Sequence, residues 1–118
     1  MTPRQIVDYL HDILDAISAA QQFTTGMSFE EFEADQKTIF AVTRAIEIVG
    51  EATKSIPPEL RANYPQIPWK SIAGMRDKVI HQYFGVKLRV LWDTVQQDLP
   101  TLQPVIAQML NDLSNPSA

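Results

Sequence analysis

Arginine, histidine and tyrosine fall close together in Arg76-Asp77-Lys78-Val79-Ile80-His81-Gln82-Tyr83. Together these three side chains can cleave RNA through the ribose 2′-hydroxyl. A histidine that titrates near neutral pH can remove or return a proton. An always-charged guanidinium can hold a phosphate and stabilise the extra charge of its transition state. A tyrosine hydroxyl can orient the phosphate while its ring stacks on a base. This chemistry asks for no metal and no cofactor. Lys70, Lys78, Lys87 and Arg89 lie close in sequence and could hold the RNA backbone.

Each residue also has a plainer explanation. On a helical wheel Arg76 lies in the middle of an apolar face made by Trp69, Ile72, Ala73, Val79, Ile80 and Tyr83. An unpaired buried guanidinium is costly. Arg76 is therefore paired, at the mouth of a cleft, or at an interface, and an ion pair with Glu47 or Glu51 would satisfy it while fixing its position. His81 follows five residues later, about 140° round a straight helix, so the two side chains diverge unless the helix loosens toward Gly85 or a second subunit supplies one of them. Alone, His81 reads as a helix-terminal residue complementing the macrodipole, and Tyr83 as a core aromatic.

Charge sharpens the case. The chain carries a net charge of −4, but positions 70–89 hold five basic residues and one acid, Asp77. A local positive field can concentrate a polyanion even on an acidic protein. Arg44, Glu47, Glu51 and Lys54 share a second charged face. Paired glutamates can bind metals in helical bundles, but such sites use an inward Glu-x-x-His. The chain's two histidines, His11 and His81, do not stand in that spacing. An ion-paired face, with Arg44 and Glu47 supporting the catalytic helix, is the better reading, and no metal site is expected.

The elements that must position these groups read as helices. The 118 residues are 45% hydrophobic, enough for the core of one domain over 1–118. Ile6, Leu10, Ile13, Leu14 and Ile17 predict a first helix over 3–22. Ser28 and Glu31 form a capping box, with Met27 and Phe32 as its hydrophobic staple. A long helix is expected over 35–55, stopped by Pro57-Pro58. A third begins near Pro68 and ends at Gly85. Leu88, Leu91, Trp92, Val95 and Leu99 mark a fourth helix ended by Pro100. Leu102, Val105, Ile106, Met109, Leu110 and Leu113 mark a fifth, with Pro104 in its first turn and a frayed tail over 114–118. The expected fold class is all-α, an up-and-down bundle of four to five main helices. Cysteine is absent, and no apolar run is long enough to cross a membrane. The start, MTPRQIVDYLHD, lacks the apolar stretch of a signal peptide, so a cytoplasmic protein is expected.

The motif and its surroundings resemble the HepT-like proteins of the HEPN superfamily. The motif resembles their Arg-x4-His-x-Tyr, flanked by Ile67-Pro68-Trp69-Lys70-Ser71-Ile72-Ala73-Gly74-Met75 and Tyr83-Phe84-Gly85-Val86. Arg44-Ala45-Ile46-Glu47-Ile48-Val49-Gly50-Glu51-Ala52 is similar to the family's second-helix block, and Trp92 with Asp98-Leu99-Pro100 to its C-terminal block. The resemblance implies a homodimeric HEPN-like bundle with a ribonuclease site in the cleft between subunits. It further implies a toxin that cuts RNA, such as tRNA or mRNA. Its antitoxin would be a cognate minimal nucleotidyltransferase of the MntA kind, which transfers AMP to the motif tyrosine, here Tyr83. Arg76 and His81 would be the catalytic pair. Asp77 departs from the asparagine often found after the motif arginine, and a carboxylate there weakens phosphate binding. A non-catalytic helical subunit that docks a nucleotidyltransferase or binds nucleotide is the alternative function.

Overall fold

A computed structural model describes residues 4–75 and 87–114. Helix α1 spans Ile6–Thr24. The Gln5 amide donates to Asp8 Oδ2 at 2.9 Å, satisfying one of the donors a helix start leaves open. Gly26, at φ +77°, turns the chain after it in a conformation that L side chains rarely adopt. Helix α2, Phe29–Glu33, begins on the expected capping box. The Glu31 amide donates to Ser28 Oγ at 3.1 Å, and the Ser28 amide to Glu31 Oε1 at 3.0 Å. Helix α3 spans Gln36–Lys54. Its first turn is capped by Asp35, which accepts from the Thr38 amide at 3.1 Å, and that bond holds the Asp35 carboxyl below its ordinary range.

Two short helices follow, α4 at Pro58–Arg61 and α5 at Trp69–Ala73. After the segment 76–86, which lies outside the described residues, helix α6 covers Leu88–Asp93. A π-helical turn over Thr94–Asp98 joins it to helix α7, Leu99–Ser114. The described residues contain no strand. The fold is the all-α, HEPN-like bundle that the helical periodicity and the family resemblance led us to expect.

The core lies where α1, α3 and α7 meet. Leu10, Ile13 and Ile17 of α1, Val42, Ile46 and Val49 of α3, and Leu102, Ile106 and Met109 of α7 are all buried. Their spacing of three and four residues gives each helix one apolar face. Helix α5 packs on α3, and α2 packs against both α3 and α6. Phe32, fully buried, is the anchor of α2 and lies against the Trp92 ring at 5.4 Å between centroids.

Several boundaries differ from the sequence reading. The third helix, expected to run from Pro68 to Gly85, is interrupted at Gly74, which caps the short α5, and 76–86 lie outside the described residues. Helix α1 begins at Ile6, where the Gln5 cap opens it, three residues later than expected. Pro100 does not end a fourth helix. It sits in the first turn of α7, and the helical path runs on from α6 through the π turn, with Pro104 inside α7. A proline ring clashes with the carbonyl four residues earlier and offers no N–H. The π turn relieves that conflict by changing the spacing just before Pro100, since the Leu99 amide bonds to the Thr94 carbonyl five residues back. The Thr101 hydroxyl then donates to the Gln97 carbonyl at 3.2 Å. Ser114, expected in the frayed tail, closes α7, and 115–118 lie outside the described residues.

The anchoring of α2 has a measurable consequence. Phe32→Ala should lower unfolding stability by about 3–5 kcal/mol, as for other buried aromatic truncations. Ser28→Ala, which removes only the cap, should cost about 1 kcal/mol. Urea denaturation followed by circular dichroism distinguishes the two.

Candidate active site and the surfaces around it

The motif residues Arg76, Asp77, Lys78, His81 and Tyr83 lie in the segment 76–86, outside the described residues. The structure does describe the chain on both sides of them. On the approach, Ile67 and Ile72 are buried. The Trp69 indole N–H donates to the Tyr64 carbonyl at 2.9 Å. The Tyr64 hydroxyl in turn donates to the Asp112 carboxylate on α7, which also accepts from Gln108 Nε2 at 2.7 Å. The turn leading into α5 is thereby tied to the last helix. Donating to a carboxylate favours the neutral phenol, so the Tyr64 pKa rises to about 12, and the same bond lowers that of Asp112. A cleft of about 290 Å³ runs beside this turn, bounded by Pro68, Ser71 and Met75 on one side and Asp98 and Thr101 on the other.

The proposed RNA-binding cations are not equivalent. Lys70 on α5 and Lys87, immediately before α6, are exposed. Arg89 is engaged twice. Its Nε lies 3.4 Å from Asp93 Oδ1, and its guanidinium sits 4.7 Å from the centroid of the Phe29 ring. Lys78 lies outside the described residues.

The charged face of α3 forms ion pairs, as its spacing suggested. Arg44 Nη1 lies 3.3 Å from Glu47 Oε2 and 3.8 Å from Glu51 Oε1. Arg44 and Glu51 line a groove of about 790 Å³ between α1 and α3, together with Asp12, Asp15 and Phe23. At the α1 end, Arg4 pairs with Asp12 at 2.8 Å and lies 4.9 Å from the Tyr9 ring centroid. The sequence reading missed this groove. Its signal was there in the small residues Ala16, Ala19, Ala41, Ala45 and Ala52, which form its floor at helical spacing. Among the described residues no three His, Cys, Asp or Glu side chains come together as a metal-binding group. Nor is any helix among them long and apolar enough to cross a membrane.

Comparison with known proteins decides the family. The model of the family "Ribonuclease HepT-like" matches residues 13–109, most of the chain and all of the 76–83 motif. The chain belongs to the HepT-like ribonuclease family. Its relatives include a Thermococcus cleftensis protein named "Probable ribonuclease HepT", 54% identical over 81% of this chain and 87% of the relative. A Methanocaldococcus jannaschii protein provisionally named an RNase is 41% identical over 96% of this chain and 93% of its own. A similarly named protein of Caldanaerobacter subterraneus is 42% identical over 92% and 95%. No solved structure matches the chain. HepT-like membership thus rests on residues 13–109, well beyond the motif itself.

The clamp before the HepT-like motif can be tested by titration. In the wild type, Tyr64 should ionise at about 12. In Asp112→Asn it should ionise nearer the ordinary tyrosine value of 10. Ultraviolet difference titration of the two proteins reads this directly. Because the folded pKa is raised, the associated stabilisation is present below pH 10 and is lost as the pH rises through 12. The stability gap between the two proteins should therefore close at strongly alkaline pH.

Proposed function

We propose that this HepT-like chain is a metal-independent RNA endonuclease, the toxin of a toxin–antitoxin pair, with Arg76, His81 and Tyr83 as its active site. The observation that carries this reading is the family match across 13–109, which includes the motif and joins the chain to relatives named as ribonucleases. The chemistry of the three side chains agrees with it.

In the proposed reaction the 2′-hydroxyl of one ribose attacks the adjacent phosphorus. The bond from phosphorus to the 5′-oxygen breaks, leaving a 2′,3′-cyclic phosphate on one product and a 5′-hydroxyl on the other. His81 takes up the 2′-hydroxyl proton or returns a proton to the leaving oxygen. Arg76 holds the non-bridging oxygens and offsets the charge that builds on them. Tyr83 orients the phosphate. Lys70, Lys78 and Lys87 hold the RNA backbone on either side, and the substrate is an RNA such as a tRNA or mRNA met in the cytoplasm.

A homodimer lets one subunit offer Arg76 while the other offers His81, which answers the divergence of the two along one helix. The groove between α1 and α3, with Arg44 and Glu51 on its wall, is the surface we assign to that seam. Arg44, with Glu47 paired to it at 3.3 Å, would support the motif from there. A cognate minimal nucleotidyltransferase would silence the toxin by transferring AMP to Tyr83. A nucleotide on that hydroxyl would add bulk and phosphate charge beside Arg76 and compete with RNA for it.

The test is cleavage of total RNA in EDTA by folded wild type, Arg76→Ala and His81→Ala. Wild type should cut. His81→Ala should be slower by about 10²–10⁴-fold, the usual contribution of a general acid or base, and Arg76→Ala should lose activity to a similar degree. A folded, unmodified wild type that leaves RNA intact would instead support the non-catalytic subunit that docks a nucleotidyltransferase or binds nucleotide. The AMP step has its own check: Tyr83→Phe should not be modified by the partner, and modification at wild-type stoichiometry would exclude Tyr83 as acceptor.

A further inference from the structure

Sequence reading grouped Arg89 with the lysines as a holder of the RNA backbone, but the structure gives it a different character. Its charge is already matched by Asp93 at 3.4 Å, one helical turn further along α6. A guanidinium so paired has less to offer a phosphate. What it keeps is a flat, weakly hydrated surface, which stacks readily on rings.

That surface is firmly backed. The Arg89 guanidinium lies over Phe29 at 4.7 Å. The Phe29 ring meets Trp92 edge-on at 6.2 Å and 70°. Trp92 in turn rests on Phe32, which is fully buried. A continuous stack therefore runs from the core, through α2 and α6, to an arginine whose side chain remains 64% exposed. Lys87 is exposed two residues before it, and Val90 is an exposed apolar neighbour.

We propose that Arg89, backed by Phe29, is a stacking platform for one base of single-stranded RNA, a subsite distinct from the 76–83 motif. It rests on the ribonuclease reading above and adds to it a contact with a base where only backbone contacts were expected. Bases splayed from single strands stack on arginine planes and aromatic rings. Lys87 holds the phosphate beside the stacked base, and Val90 offers it an apolar shoulder. Because α6 begins directly after the segment 76–86, the subsite adjoins the motif along the chain.

The experiment uses His81→Ala protein, so that RNA is bound without being cut. Two fluorescein-labelled strands of equal length serve as probes, one a short mixed-sequence single-stranded RNA and the other its abasic ribose-phosphate counterpart. Fluorescence anisotropy is read across a salt series. Adding Arg89→Ala should weaken binding of the base-bearing strand about tenfold, as for loss of one stacked base. Binding of the abasic strand and the salt slope should not change. Arg89→Lys should fail to restore the loss, since an ammonium has no plane, and Phe29→Leu should reproduce it. Equal losses on both strands with a shallower salt slope would make Arg89 a phosphate contact and overturn the platform. Unchanged binding of both strands would leave Arg89 a purely structural contact and also overturn it. If the His81→Ala protein binds neither strand, the ribonuclease reading falls together with the subsite.

Discussion

Everything in this molecule depends on burying three apolar stripes against one another. Leu10, Ile13 and Ile17, Val42, Ile46 and Val49, and Leu102, Ile106 and Met109 close the centre of the bundle. Apart from its threonines, the buried core among the described residues is wholly apolar. Thr53 shows how even these are satisfied, its hydroxyl donating to the Val49 carbonyl at 2.7 Å within α3. With the interior so filled, ionisable groups are pushed to the seams between helices and to the ends of the short ones. The groove between α1 and α3, the clamp at Asp112 and the Arg89 stack all lie on that periphery. Chemistry in this fold belongs at its edges and at contacts with other molecules.

The C-terminal third shows how the fold absorbs residues that oppose helix. Pro100 and Pro104 stand in a run that must stay helical for Leu102, Ile106 and Met109 to reach the core. The π turn over Thr94–Asp98 resolves the conflict before Pro100. It is tied to the end of α1 through Gln96 Nε2, which donates to Thr24 Oγ1 at 3.3 Å. Thr24 in turn donates to the Ala20 carbonyl at 3.1 Å within α1, so the hydroxyl that receives Gln96 is itself held in place. Trp92, which contacts the Phe29 and Phe32 rings of α2, lies on α6 just before this turn, so α2 braces the chain between the motif segment and the last helix.

Much of the fold was legible in the sequence because helix periodicity and capping are local. The Ser28 box and the 36–54 helix follow from residues within a few positions of each other. The continuity of α6 into α7 was not legible, since a proline read by itself is a stop and nothing in the helix periodicity signals the π turn that accommodates it. The α1–α3 groove was hidden for a related reason. Alanine stripes read as weak core until two helices are set side by side. Of the candidate site, the residue types at 76, 81 and 83 were legible as chemistry, but their mutual arrangement depends on distances that no spacing rule supplies. Arg89 was read as a bare cation because Phe29, its partner, is sixty residues away in the chain.

The central claim is that Arg76 and His81 drive attack by a ribose 2′-hydroxyl. The most direct measurement compares two strands of one sequence, a cleaved RNA and the same strand with 2′-deoxyribose at the cut position, incubated with wild-type protein in EDTA. The account predicts that the RNA is cut to 2′,3′-cyclic phosphate and 5′-hydroxyl ends, while the substituted position survives. Cleavage of the substituted strand at that position, or products bearing 5′-phosphate, would contradict it.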